Sequence, residues 1–287
     1  MKTLISLPKI TLSTILRATP ATPLLENSCR QIKNDTVIYR ENELFKTPKI
    51  FKPFVKVSAL QTTRHGGVSR EPYSSLNLGI NTGDDPANIM RNRRILCRHL
   101  QIAPSSLVTA DQVHGTNVFH AVTGGHYSGY DAFVTDRKDI FLCIFTADCF
   151  PMLFYDHEHE AAGAAHAGWK GTAKNIAGMT IETMRQRFGT SPPRCHAYIG
   201  TGISGSSYEV GREVAARFDK KYLKPSTGGR FLLDLAAANL DHLVEAGIPH
   251  ECIEVSPFCT VRNNRDFFSY RKEGGKTGRM VSLIGTR

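Results

Sequence analysis

The 287-residue sequence has no apolar run near the ~20 residues that a membrane-spanning helix requires; the longest candidates, such as IFLCIF at 140–145, have the length of buried strands. No membrane association is expected. The seven cysteines, at 29, 97, 143, 149, 195, 252 and 259, include no CxxC pair, and their number is odd. This argues against a disulfide framework or a four-cysteine structural zinc site and favours a reducing, cytoplasmic compartment. There is no internal repeat and no long Gly/Ser/Pro linker after residue 50, so a single α/β domain is expected. Acid is scarce: 36 Lys and Arg against 26 Asp and Glu give a net charge of +10. The basic residues are scattered, however. RNRR at 91–94 and RKEGGKTGR at 271–279 are short and lack the repeated aromatic-plus-basic pattern of a nucleic-acid binder. Nucleic acid is therefore not the expected partner, and the charge suits small anionic substrates. The first 25 residues carry Lys2, Lys9 and Arg17 but no acid before Glu26. That composition fits an N-terminal extension over residues 1–35, of a kind shared with organellar targeting segments, with the fold occupying 36–287.

What is present is an intermixture of strand and helix signals. DDPANIMRNRRILCRHL has Asp85 as N-cap and Pro86 at the first helical position, with Ile89, Leu96 and Leu100 on one face. VFHAV, DAFVT, DIFLCIF and PMLFYD predict strands between 118 and 156. AAGAA at 161–165 has poor strand propensity, yet its small residues permit close approach of other backbone. TAKNIAGMTIETMRQRFG predicts a helix with Ile176, Thr180, Met184 and Phe188 on one stripe and Gly189 as its stop. Further helices are expected over YEVGREVAARF and LDLAAANLDHLVEAG, then strands in the tail from CIEVSPFCT to GRMVSLIG.

The histidines divide by their surroundings. His157 and His159 lie in the charged turn DHEHE, and His99, His242 and His250 sit in amphipathic helices or at a helix end, where structural roles are expected. His114 in DQVHGTNV and His166 in AHAGWKG are flanked by glycines, which admit a left-handed backbone or close approach of a ligand. Cys149, in TADC, ends the IFLCIF strand near a turn expected to be set by Pro151. The ends of strands are where α/β folds carry chemistry. His114, Cys149 and His166 stand 35 and 17 residues apart, too far for a zinc knuckle but compatible with a catalytic metal drawing three ligands from separate loops. Spacing alone leaves open a metal-free alternative, with Cys149 as nucleophile and a histidine as base.

HAGWKGT, TADC, QVHG, TTRHGGVS, SLNLG and GDDP, in company with IGTGISGSSYEVG and the closing FFSYRKEGGKTGRMVSLIG, resemble the YfiH family, also called the laccase-domain or polyphenol-oxidase family. The matching motifs run in order from about residue 55 to 285. The resemblance implies a single-domain layered α/β sandwich with a zinc pocket held by His114, Cys149 and His166. It also implies purine nucleoside phosphorylase activity on adenosine, inosine, guanosine or methylthioadenosine, with adenosine deaminase activity in the same site. A metal there would lower the pKa of bound water toward ~7. Phosphorolysis further requires an anion contact, for which Arg64 beside its glycine turn is the first candidate. Asn77 and Arg271 are expected in the same substrate pocket, as are His65 and Arg279. Asp148 is a possible proton acceptor, and Trp169 is expected to pack as a wedge. Thr201 and Ser204 depart from the family's usual residues in a loop that follows the IG dipeptide. The family's older name raises a copper oxidase as an alternative, in which Cu2+ would replace zinc, with Met152 as a weak axial ligand.

Overall fold

The computed structural model describes residues 44–287; the expected extension, 1–35, and the expected domain start at 36 lie outside them. Two six-stranded sheets stack face to face. Edge to edge, the first runs Phe45–Lys46, Val57–Thr62, Met280–Thr286, Phe141–Thr146, Leu107–Ala110 and Gly125–Tyr127. The second runs Ile253–Val255, Cys195–Ile199, Phe150–Asp156, Ala161–Ala167, Ala132–Thr135 and Val118–His120. Strands pair antiparallel through both centres, and parallel pairs lie toward the edges.

The period-two alternation of the strands builds the layers. Leu142, Ile144 and Ile284 meet Leu153, Tyr155, Ala162, Ala164 and Tyr198 between the sheets. Their neighbours Phe141, Cys143 and Leu283 turn the other way and pack with Leu96 of the helix Pro86–Leu100. The helices Ile176–Phe188 and Leu235–Glu245 cover the outer face of the second sheet. The result is the layered α/β sandwich expected from the sequence. Each fully buried Leu or Phe contributes about 1.5–3 kcal/mol.

AAGAA becomes part of the central strand Ala161–Ala167 because both its faces are crowded. A Cβ on Gly163 would stand 2.8 Å from Met184 Sδ and 3.2 Å from Phe154 Cδ2, so the absent side chain lets helix Ile176–Phe188 sit directly on the sheet. Helix ends follow local chemistry. Asp85 Oδ1 accepts from Ala87 N at 2.8 Å, Asn175 Oδ1 accepts from Gly178 N at 2.9 Å, and Gly189 stops its helix at φ 75°. YEVGREVAARF is not the helix its periodicity predicts. Glu209–Val210 pairs with Phe231–Leu233 in a small three-stranded sheet completed by Leu223–Pro225, leaving only the single turn Arg212–Ala215. Gly211 is extended there (φ −78°, ψ 173°) and separates the two pieces.

Candidate metal centre and its cleft

Three crossings of the chain deliver the cluster. His166 lies in the strand Ala161–Ala167, opposite Pro151 of the neighbouring strand. Cys149 sits where the chain passes from Phe141–Thr146 of the first sheet into Phe150–Asp156 of the second. Asp148 makes that bend with φ 97°, and Pro151 lies inside the following strand rather than setting the turn. His114 is held at φ 58° on the loop after Leu107–Ala110. The donor atoms of His114, Cys149 and His166 all lie within 4.8 Å of one another. The two imidazoles meet edge to face with centroids 4.8 Å apart. Gly168 lets them converge, because a Cβ there would stand 2.8 Å from His114 Nδ1 and 3.0 Å from Cys149 Sγ.

The group that organises the cluster is Asp131, a wholly buried carboxylate that opens DAFVT just before the strand Ala132–Thr135. Its Oδ1 accepts from His166 Nδ1 at 2.8 Å and from His114 N at 2.9 Å. Its Oδ2 accepts from Gly115 N at 2.7 Å and Val113 N at 3.1 Å. One carboxylate thus fixes the QVHG loop and orients the His166 ring so that Nε2 faces the cleft. Burial works to raise Asp131, but the bond from His166 and the backbone amides outweigh it and hold the carboxyl below its usual range. Burial likewise works to raise Cys149; the His166 imidazole and the hydrogen bond to His114 bring the thiol down to about 6. Burial would lower His166, and the Cys149 thiolate with Asp131 raises it instead. The environment therefore favours a thiolate beside a protonated imidazole, and an ion held by this set would displace the proton from His166.

The cluster opens into a cleft of about 580 Å³. Arg271 and Arg279 line it, as expected, and so does Trp169, which borders the cavity instead of packing only as a wedge. Arg64 does not. Its guanidinium donates to Ser74 O, Asn264 O and Glu273 Oε1, lies 4.6 Å over the Phe268 ring, and lines a separate depression with His65. His65 pairs with Asp266 at 3.0 Å. Asn77 is fully buried beneath the cleft, its Oδ1 accepting from Gly79 N and Arg279 N, its Nδ2 donating to Thr82 Oγ1 and Asp84 Oδ2. Arg64, His65 and Asn77 thus stabilise loops, and of the three only Asn77 bears on the cleft, through Arg279. Asp148 accepts from Thr260 Oγ1, Ser269 Oγ and Arg271 N. It lines the cleft and anchors the late loop to the Cys149 bend, with three donors already on its oxygens. Met152 is buried within its strand and does not line the cleft.

Several cleft residues carry no local signal. Arg93 comes from the middle of helix Pro86–Leu100, Tyr208 from the misread helix, Tyr270 from the tail loop, and Gln112 bridges Phe145 N and O at 2.7 and 2.8 Å. In the departing loop, Thr201 N donates to Gln61 Oε1, Thr201 Oγ1 meets Ser256 Oγ at 2.7 Å, and Ser204 bonds the Cys259 sulfur. The neighbouring Ile203 lines the cleft.

Two imidazoles and a thiolate from three separate segments suit a single borderline-soft ion with one position open. The missing Cβ at Gly168 and the engagement of His166 Nδ1 by Asp131 fit that occupancy. Among the described residues this is the one His/Cys/acid cluster of metal-binding form apart from carboxylate and imidazole pairs.

Fold and site together define a class: α/β sandwich proteins with an open His/Cys/His centre in one cleft. Residues 58–287 match the family described as multi-copper polyphenol oxidoreductase laccase. A purine nucleoside phosphorylase of Deinococcus radiodurans is 43% identical over 241 residues, covering 83% of this chain and 92% of that protein. The Escherichia coli protein named purine nucleoside phosphorylase YfiH is 35% identical over 235 residues, covering 79% and 93%. The crystal structure of YlmD from Geobacillus stearothermophilus superposes with a TM-score of 0.82 at 32% identity, covering 87% of this chain and 98% of that one. The chain belongs to the YfiH-like laccase-domain family.

Proposed function

We propose that this chain is a zinc-dependent purine nucleoside phosphorylase. It would cleave adenosine, inosine, guanosine or methylthioadenosine with phosphate, and deaminate adenosine in the same cleft. The observation that carries the reading is the convergence of His114, Cys149 and His166 in a cleft walled by aromatic rings and arginines. Relatives that share most of the chain and are named for this activity support it.

His114, Cys149 and His166 would hold the ion, and Asp131 holds His166 in the tautomer that leaves Nε2 available. A zinc ion bound there supplies Lewis-acid polarisation of the substrate or of water. Trp169, Tyr208 and Tyr270 offer flat apolar surface to a purine. Arg271, fixed through its backbone N on Asp148 and lying 5.1 Å over the Tyr208 ring, is positioned at the same wall. These residues bind and orient the substrate.

Metal analysis of the purified protein, with adenosine incubated with and without phosphate, tests the reading. About one zinc per chain, with adenine and ribose 1-phosphate formed only when phosphate is present, is expected. Inosine in both conditions would register the deaminase activity. Cys149→Ala should abolish metal binding and turnover; unchanged nucleoside cleavage in that variant would sink the proposal.

One observation favours a second reading. Cys149, His166 and Asp131 form a thiol, imidazole and carboxylate series of the kind that activates a cysteine nucleophile. No metal in the purified protein, with rapid alkylation of Cys149, would favour that hydrolase or deamidase. A copper polyphenol oxidase fits less well. Multicopper chemistry needs several clusters, whereas His157 bonds Arg194 O and His159 bonds Asp156, away from the cleft.

A further inference from the structure

We propose that Arg93 and Arg279 form the subsite for inorganic phosphate in this cleft, an inference that rests on the phosphorylase reading and gives it its anion contact. The two guanidinium groups come from remote parts of the chain and back onto the same short segment. Arg93 Nε donates to Leu78 O at 3.0 Å, and Leu78 N donates to Arg279 O at 3.1 Å. Gly79 sits against the Arg279 stem, where a Cβ would meet Cγ at 2.5 Å. Two wholly buried asparagines fix this arrangement. Asn77 Oδ1 accepts from Arg279 N, and Asn92, next to Arg93, donates to Asn77 O at 2.8 Å.

Both arginines are half-buried, and among the described residues neither has a carboxylate partner. Arg93 rests instead 5.0 Å over the Phe145 ring, and Arg279 Nη1 is held by the carbonyls of Thr277 and Gly278. Of the cleft's acids, Asp148 is engaged by Thr260, Ser269 and Arg271 N, and Asp111 accepts from Gly129 N. Burial outweighs the attraction that Cys149 and Asp148 exert on Arg279 from a distance, and a partly desolvated cation that no carboxylate bonds is costly unless a ligand supplies the counter-charge. The remaining N–H groups of Arg93 and Arg279 have no acceptor among the described residues, so each can still donate to a tetrahedral oxyanion.

The chemistry balances with this cosubstrate. An oxygen of HPO4²⁻ bonds to C1′, the C1′–N9 bond breaks with its electron pair going to the purine, and the phosphate's proton ends on the purine nitrogen. Arg93 and Arg279 hold the oxyanion in place, and the pinned Leu78 segment keeps their spacing.

The test is calorimetric titration of the full chain in phosphate-free buffer with inorganic phosphate and, separately, with adenosine 5′-monophosphate. Arg93→Gln and Arg279→Gln should each weaken phosphate binding roughly 10- to 100-fold. Arg94→Gln, an exposed neighbour on the same helix, should leave it unchanged, which separates a local site from the general positive field. Arg93→Lys and Arg279→Lys keep the charge without the fork and should fall between. Wild-type protein that binds no phosphate, or glutamine variants that melt and bind as the wild type, would overturn the subsite. Loss of monophosphate binding with phosphate binding intact would reassign it to an ester phosphate and overturn it equally. Phosphate-dependent adenosine cleavage is measured in parallel. Its absence from wild-type protein that does bind phosphate at these arginines would remove the phosphorylase reading and keep the anion site.

Discussion

Gly168→Ala probes the centre without deleting any donor. The backbone at Gly168 (φ −76°, ψ 172°) is one that alanine adopts without strain, so the whole effect comes from one methyl group. That methyl would stand 2.8 Å from His114 Nδ1 and 3.0 Å from Cys149 Sγ, where ordinary contact begins at 3.4 Å. Two of the three donors must therefore withdraw by roughly 0.5 Å, the whole positional tolerance of a constructed site. Overpacking of this size costs about 1–3 kcal/mol, a melting shift of several degrees for a domain of this length. Metal affinity should fall roughly 10- to 100-fold, as for other disturbances beside the ligands. Zinc competition against a chromophoric chelator reads the affinity, and thermal melting in chelator reads the fold. Wild-type zinc affinity and turnover in this variant would show that the cluster does not close on an ion as argued.

Asp131→Asn should lower metal affinity roughly 10- to 100-fold and destabilise the fold, since an amide cannot accept from His166 and all three backbone amides at once; matching chelator titrations and urea midpoints would check both, and an unaltered affinity would refute its orienting role. His196 is buried against Phe54, with ring centroids 4.7 Å apart, and burial with the nearby His157 lowers it to about 4. Because the unfolded value is near 6.5, its stabilising effect is complete above that pH and is lost as pH falls from 6.5 toward 4. His196→Phe should remove on the order of 3 kcal/mol of acid sensitivity, read as the difference in urea stability between pH 7.5 and 4.5; an identical pH slope in both proteins would refute it. Gly163→Val should cost about 1–3 kcal/mol by driving a side chain into Met184, with partial recovery on adding Met184→Ala, and no recovery would place the crowding elsewhere.

Local chemistry made much of this architecture readable. The Asp85-Pro86 start and the Gly189 stop are decided within one helical turn, and glycines beside His114 and His166 mark positions where the backbone must bend or come close. The cluster itself was legible as three unusual donors at strand ends. What escaped depends on the tertiary arrangement. Arg64 beside a glycine turn looks like an anion contact, but its partners, Asn264 and Glu273, lie some two hundred residues away in sequence. Arg93 lies in an ordinary basic helix and gains meaning only because that helix packs over Leu78. Asp131 reads as the start of a strand; its four donors come from two other segments. YEVGREVAARF has helical periodicity, yet pairing with Phe231–Leu233 prevails over propensity.

The strand Met280–Thr286 lies between Val57–Thr62 and Phe141–Thr146, in the interior of the first sheet. On the ribosome, the segments on either side of that gap emerge long before the piece that fills it, so they must wait as unpaired edges. The loop that anchors Cys149 through Asp148, and the arginines at 271 and 279, are made almost as late. A ribosome paused between residues 166 and 280 would thus display a chain with its imidazoles and thiol already made but with no finished sheet to hold them, and the cleft would form only once residues 280–286 emerge.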